Sequence, residues 1–224
     1  MEQIGDADSP RQRILNGALE LLEEGGPEAL QARRLAATLG ISTMGVYTHF
    51  GGIPGLLEAI AREGFTRLAA AVGAVEDTED PLTDFIVKGF VYRQWATTNP
   101  RLYCFIFGLG ATVVPRFDQD ITVAGTLTTL SEGQAAFDVM VRALDRVKLA
   151  GLIEDVDTVA AAAQILSATH GYVLLEIAGY LGTDGNGFAW VYAPMGLSLM
   201  VGLGAERAKV EISAVTALAK FGIM

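Results

Sequence analysis

Between residues 30 and 50, two short stretches of helical periodicity are separated by only three residues, Gly40-Ile41-Ser42. The first is predicted to run from Ala32 to Leu39, with Leu35, Ala36 and Leu39 on one face. Gly40 supplies the left-handed backbone that a tight reversal needs. Ser42 or Thr43 then caps a third helix ending near His49, and Gly51-Gly52 breaks the chain again. Helices this short are marginal alone, so the pair must be braced. Upstream residues provide the brace. Ser9-Pro10-Arg11-Gln12 reads as a helix start, with Ser9 as N-cap, Pro10 in the first turn and Gln12 closing a capping box. Ile14, Leu15, Ala18, Leu21 and Leu22 share one face of that helix, which Gly25-Gly26-Pro27 ends. A fourth helix is predicted from about Pro54 to Val75.

Two short helices joined by a glycine turn and steadied by a third form the geometry of a DNA reader, in which the last helix protrudes far enough to enter a major groove. Many helical proteins contain a helix, a glycine turn and another helix, so the spacing alone leaves a purely structural role open. The residues at the turn narrow it. Arg33-Arg34-Leu35-Ala36, Leu39-Gly40-Ile41-Ser42 and Val46-Tyr47-Thr48-His49-Phe50, followed by Leu56-Leu57, resemble the DNA-binding signature of the tetracycline-repressor (TetR) family over residues 9 to 57.

The resemblance implies an all-α chain. A three-helix N-terminal helix-turn-helix domain would occupy residues 1–53 and a connecting helix 54–75. A larger helical-bundle ligand-binding and dimerisation domain would occupy 76–224. It also implies DNA contacts from Arg33, Ser42, Thr43, Met44, Tyr47, Thr48 and His49. Their chemistry suits the task. The hydroxyls of Thr43 and Thr48 can meet base edges or phosphate, Met44 a thymine methyl, and the Tyr47 phenol a phosphate. Arg33 matches a family position that reaches a base edge or the backbone. His49 matches a phosphate-contacting histidine, with a packed imidazole as the alternative. Leu35, Leu39, Ile41, Val46 and Phe50 form the packing set. One position departs: the lysine that usually follows the Tyr-x-His-Phe motif is Ile53 here. A phosphate clamp is therefore missing, and Arg11 and Arg13 are the candidates to compensate.

Charge makes that departure matter. The chain has a net charge of −10. Residues 1–72 carry six Arg against nine Asp or Glu, a balance of −3, so no basic domain exists. DNA binding must rest on a few placed arginines and helix N-termini. A single cysteine, Cys104, excludes an internal disulfide framework and fits a reducing, cytoplasmic compartment, and no leader is read in the polar N-terminus. Residues 158–175 and 185–205 carry no charge, but the second window is glycine-rich and both are flanked by acids; buried helices are expected there and no membrane partner.

Beyond the acidic stretch Glu76–Asp80, helices are predicted at about 82–98, 100–109, 127–150, 157–181 and 194–221, with residues 182–187 as a loop and 111–126 ambiguous. His170-Gly171, Leu175-Glu176 and Gly179 resemble the signature of a TetR C-terminal subgroup named for a Trp-His-Gly motif, although Leu166 stands where the tryptophan is expected. Aromatic residues cluster before residue 110. From these, Phe90, Trp95, Tyr103 and Phe107, together with His170 and Tyr172, are the candidate lining of a pocket for an apolar or aromatic small-molecule effector. Plain core packing is the alternative for each. Small residues such as Ala161, Ala168 and Gly179 suit a homodimer interface built from the last two helices, as the family implies.

Enzymatic readings find little material. The only histidines are His49 and His170, and no P-loop, GxSxG or GxGxxG pattern occurs. Two histidines and one cysteine make a poor zinc site, and Asp118, Asp120 and Glu154-Asp155-x-Asp157 read as loop and N-cap carboxylates. No cofactor, metal or catalytic group is expected. The rival function is a helical small-molecule-binding protein whose helix-turn-helix has weakened or lost operator binding.

Overall fold

A computed structural model describes residues 9–109 and 130–222. The ambiguous segment 111–126, with Asp118 and Asp120, lies outside the described residues. The helices are α1 (Pro10–Gly25), α2 (Ala32–Leu39), α3 (Thr43–Phe50), α4 (Ile53–Gly73), α5 (Pro81–Thr98) and α6 (Pro100–Ile106). They continue as α7 (Ser131–Leu149), α8 (Thr158–Ile177), α9 (Ala193–Gly202) and α10 (Arg207–Phe221). A short 3-10 turn (Pro27–Ala29) follows α1, and a π-helical turn (Phe188–Tyr192) precedes α9. No strand occurs among the described residues.

The chain divides into two compact units. One contains described residues 9–66 and 99–109, the other 67–98 and 130–222. The division falls inside α4 rather than at the acidic stretch after it.

In the N-terminal unit α1, α2 and α3 pack on one another. Ser9 caps α1 by accepting from the Gln12 backbone N–H at 3.2 Å, as its sequence signature requires. Leu15, Leu22, Leu35, Val46, Leu56 and Ile60 are buried together with little or no exposure. Gly40 ends α2 at φ +63°, and the Ile41 N–H closes on the Ala36 carbonyl at 3.0 Å. A side chain at position 40 would pay steric strain in that left-handed conformation.

In the C-terminal unit, Leu82, Phe85, Phe137, Leu144, Val147 and Val210 belong to one core formed by α5, α7, α8 and α10. The stretch after α4 is fixed by polar groups. Asp84 is only 2% exposed. Its carboxylate accepts from the Thr78 N–H (2.6 Å), the Thr78 hydroxyl (2.8 Å) and Arg146 Nη1 (3.1 Å). Burial alone would raise the Asp84 carboxyl, but these donors overcome it and hold it below the usual carboxylate range. Arg146 also reaches Asp77, and the buried Lys88 ammonium donates to the Val75 carbonyl at 2.7 Å. Asp80 caps α5, accepting from the Thr83 N–H at 3.0 Å.

One expected element differs in two ways. The single helix expected over 194–221 is broken after Gly202. Gly204 lies at φ +93°, and a Cβ there would stand 2.4 Å from the Glu154 side chain, so the chain turns at a position only glycine fits. The helix also starts earlier than Pro194. Proline cannot donate a hydrogen bond and its ring crowds the carbonyl four residues back. The preceding turn therefore opens, and the Ala193 N–H reaches the Phe188 carbonyl five residues behind it.

Helix α8 meets the length and composition of a membrane span. It nevertheless buries Ala161, Ala162, Thr169, Tyr172 and Val173, packs on α5 and α7, and carries Glu176 in an ion pair with Arg93. One face of the helix is thus packed within the unit. Asp157 caps it, accepting from the Val159 and Ala160 N–H groups at 3.0 and 3.2 Å.

Candidate nucleic-acid interface and ligand cavity

Helix α3 buries one side chain, Val46, and turns most of the others outward. Ser42, Thr43, Met44, Tyr47 and Thr48 are all exposed, Met44 by 67% and Tyr47 by 57%. Met44 and Tyr47 thus leave most of their apolar surface outside the core of the unit. Ser42 occupies the N-cap position but its side chain makes no capping bond, so the hydroxyl is directed elsewhere. The Thr48 hydroxyl donates to the Met44 carbonyl at 2.9 Å, which leaves its lone pairs for an outside donor. Arg33 and Arg34 are exposed at the start of α2, and His49 is half-buried at the end of α3. Arg11 adds a group that periodicity did not place: its guanidinium stacks over the Phe50 ring, 4.9 Å from the centroid. A cation is thus held at the C-terminal end of α3, on a part of the unit where Ile53 cannot supply one.

The C-terminal unit contains a partly open cavity of about 390 Å³ walled by α5, α7, α8, α9, α10 and the π turn. Phe90 lines it, as expected, along with Phe85 and Tyr92. The ring of Phe90 meets Phe188 at 5.3 Å and Phe221 at 5.8 Å, so an aromatic cluster backs the wall at that point.

The remaining expected lining residues lie elsewhere. Tyr103 and Phe107 belong to the N-terminal unit, where Tyr103 stacks on Phe107 at 5.0 Å and Phe107 meets Phe65 edge-on at 5.7 Å. The cause is local: Pro100 begins a new helix one residue after α5, and Glu23 anchors that helix by accepting from the Leu102 N–H at 2.8 Å. Cys104, half-buried in α6, has its thiol raised by burial and by the nearby Glu23 carboxylate. Trp95 and His170 are half-buried and outside the lining. Burial holds the His170 imidazole below its usual value. Tyr172 stands one layer behind the wall, 4.8 Å from the lining residue Tyr192. There it meets Glu176, whose carboxylate takes Arg93 Nε at 2.9 Å in a bidentate pair. Burial works against the Arg93 charge, but Glu176 more than offsets it and the guanidinium stays protonated. Sequence reading missed Ile86, Met140, Met195 and Glu211 of the wall; only the i, i+4 repeat Phe85-Gly89 and Ile86-Phe90 on α5 could have hinted at it.

A short exposed helix on a braced three-helix unit, in one chain with a helical unit that holds an apolar cavity, defines a helix-turn-helix protein. Residues 14–60 match the model for bacterial regulatory proteins of the tetR family, and residues 88–189 match that for the tetracyclin repressor-like C-terminal domain. The chain belongs to the TetR family. It is 40% identical over 98 residues to the HTH-type transcriptional repressor AcnR of Corynebacterium diphtheriae, covering 40% of this chain and 52% of that one. It is 41% identical over 56 residues to the tetracycline repressor protein class C of Escherichia coli, covering 25% and 26%. The chain thus spans about half, or less, of the length of the curated relatives it matches. A solved structure of a protein with unknown function from Rhodococcus sp. RHA1 superposes with a TM-score of 0.71 at 25% identity, covering 92% of this chain and 100% of the other.

Proposed function

We propose that this protein is a cytoplasmic transcriptional regulator, not an enzyme, that represses by binding an operator as a homodimer and is released by a small-molecule effector. The observation that carries the reading is the outward face of α3, where Thr43, Met44, Tyr47 and Thr48 stand exposed, as Arg33 does on α2. The alternation of hydroxyl, apolar and phenolic groups fits base edges and phosphates in a major groove. Ser42 and His49 flank that face as further contacts. Two such heads about one helical turn apart, roughly 34 to 36 Å, would read a near-palindrome.

Exposed apolar residues on α10 (Ile212, Val215) and near the π turn (Tyr180, Trp190) supply a surface for the second copy. The His170-Gly171 and Glu176 positions support placing the C-terminal domain in the Trp-His-Gly subgroup. Helix α4 is continuous across the boundary between the units, so an effector that favours one setting of the large lobe has an element through which to shift the head.

Selection of bound duplexes from random DNA by the full chain tests the reading. An enriched palindromic site is expected. Absence of any enriched site at low salt, with a folded dimer, would overturn it in favour of a small-molecule-binding protein that has lost its operator.

A further inference from the structure

The cavity wall restricts the chemistry of its ligand. Polar groups on it are few and already engaged. The Tyr192 hydroxyl donates to the Gly89 carbonyl at 2.9 Å and is itself hydrogen-bonded by the Thr169 side chain. No buried side-chain nitrogen or oxygen among the described residues lacks a partner. Among the described residues the single charged one on the wall is Glu211 on α10, whose half-exposed carboxylate lies 3.5 Å from Arg207 one turn back. Most of the remaining wall is aliphatic, aromatic or thioether, including Met140, Met195 and Met200.

Water gains little there, because an ordered water needs two to four polar partners. An anion fares worse. It would lose its hydration, meet neither cation nor free donor inside, and pass a carboxylate at Glu211. A cation would meet Glu211 only where Arg207 already neutralises it. We propose that the cavity takes an uncharged, compact hydrophobic molecule and rejects its carboxylate counterpart. Set against about 30 Å³ per water of liquid volume, the 390 Å³ cavity holds a ligand of roughly ten to fifteen non-hydrogen atoms. The three methionines, being unbranched and polarisable, let the wall follow rings or short chains alike. The assignment rests on the reading of the large lobe as the effector-sensing part of a regulator.

The test is titration of the full chain at neutral pH with three probes that share one body: naphthalenemethanol, naphthoate and naphthylmethylammonium. The alcohol is expected to bind at least about tenfold more tightly than the carboxylate. Ala162→Phe, which fills the cavity, should abolish binding of the alcohol. Glu211→Gln, which keeps the side chain's shape and removes its charge, should narrow the preference for the alcohol over naphthoate; an unchanged preference overturns the part assigned to this carboxylate. Equal or tighter binding of naphthoate overturns the proposal, as does tighter binding of the ammonium compound. Failure of all three probes with operator binding intact overturns the ligand class and spares the regulator. Binding of the alcohol by a chain that selects no operator does the reverse.

Discussion

The two units leave apolar surface unpartnered in opposite ways. On α3 it is convex: Met44 and Tyr47 stand out from a head whose interior is otherwise sealed by Leu35, Val46, Leu56 and Ile60. In the large lobe it is concave, folded inward around the space between α5, α8, α9 and α10. A convex set of side chains can enter a groove and be read one residue at a time; a concave wall encloses a whole molecule and responds to its size and charge. Head and lobe should therefore fail differently when substituted. In the head, function should be lost with the fold intact. In the lobe, the fold itself should suffer.

The sharpest contrast comes from Asp84. Asp84→Asn leaves Arg146 beside a neutral amide and breaks a buried charge pair, so unfolding free energy should fall by about 3 kcal/mol or more in a urea titration. A drop within the range of a surface substitution would make the cluster a solvated one. Tyr47→Ala comes next. It should weaken operator binding by about 2 kcal/mol while moving stability by less than about 0.5 kcal/mol, and loss of the dimer would instead give Tyr47 a packing role.

Arg11→Ala should reduce the slope of log affinity against log salt by about one unit, because one phosphate contact is lost; an unchanged slope would leave the guanidinium on Phe50 as packing alone. The smallest effect belongs to His170. Burial holds its folded pKa below the ordinary imidazole value of 6.5, so the unfolded chain binds the proton more readily. Its stabilising contribution is complete above 6.5 and is lost as pH falls toward the folded value, at no more than about 1.4 kcal/mol per pH unit. His170→Gln should flatten the pH dependence of the melting temperature between pH 5 and 7; an unaltered profile would show that another group titrates there.

The head was legible because its signals are local. Ser9-Pro10, Gly40 and Gly51 each act within one turn of helix, and the observed bounds of α2 coincide with those expected from spacing. The cavity was not legible because six elements remote in sequence build it, and a wall residue has the same periodicity as a core residue. Phe90 was found, yet Tyr103 and Phe107 were grouped with it by closeness in sequence alone. Pro194 misled for a related reason. Proline favours the first turn of a helix, so it reads as a start. Here it sits in the first turn of α9 and disturbs the helical turn before it.

That disturbed turn makes the protein sensitive to length as well as to side chains. The π turn at residues 188–192 carries one residue more than an α-helical turn of the same span. Removing a single residue there would let the segment close as an ordinary helix over the same span, leaving the flanking turns in register and re-aiming only the side chains of the turn itself. Among those are Tyr192, now on the Gly89 carbonyl, and the exposed Trp190. Gain or loss of one codon is thus a ready route by which a chain of this fold could acquire a different ligand specificity without altering its reading head.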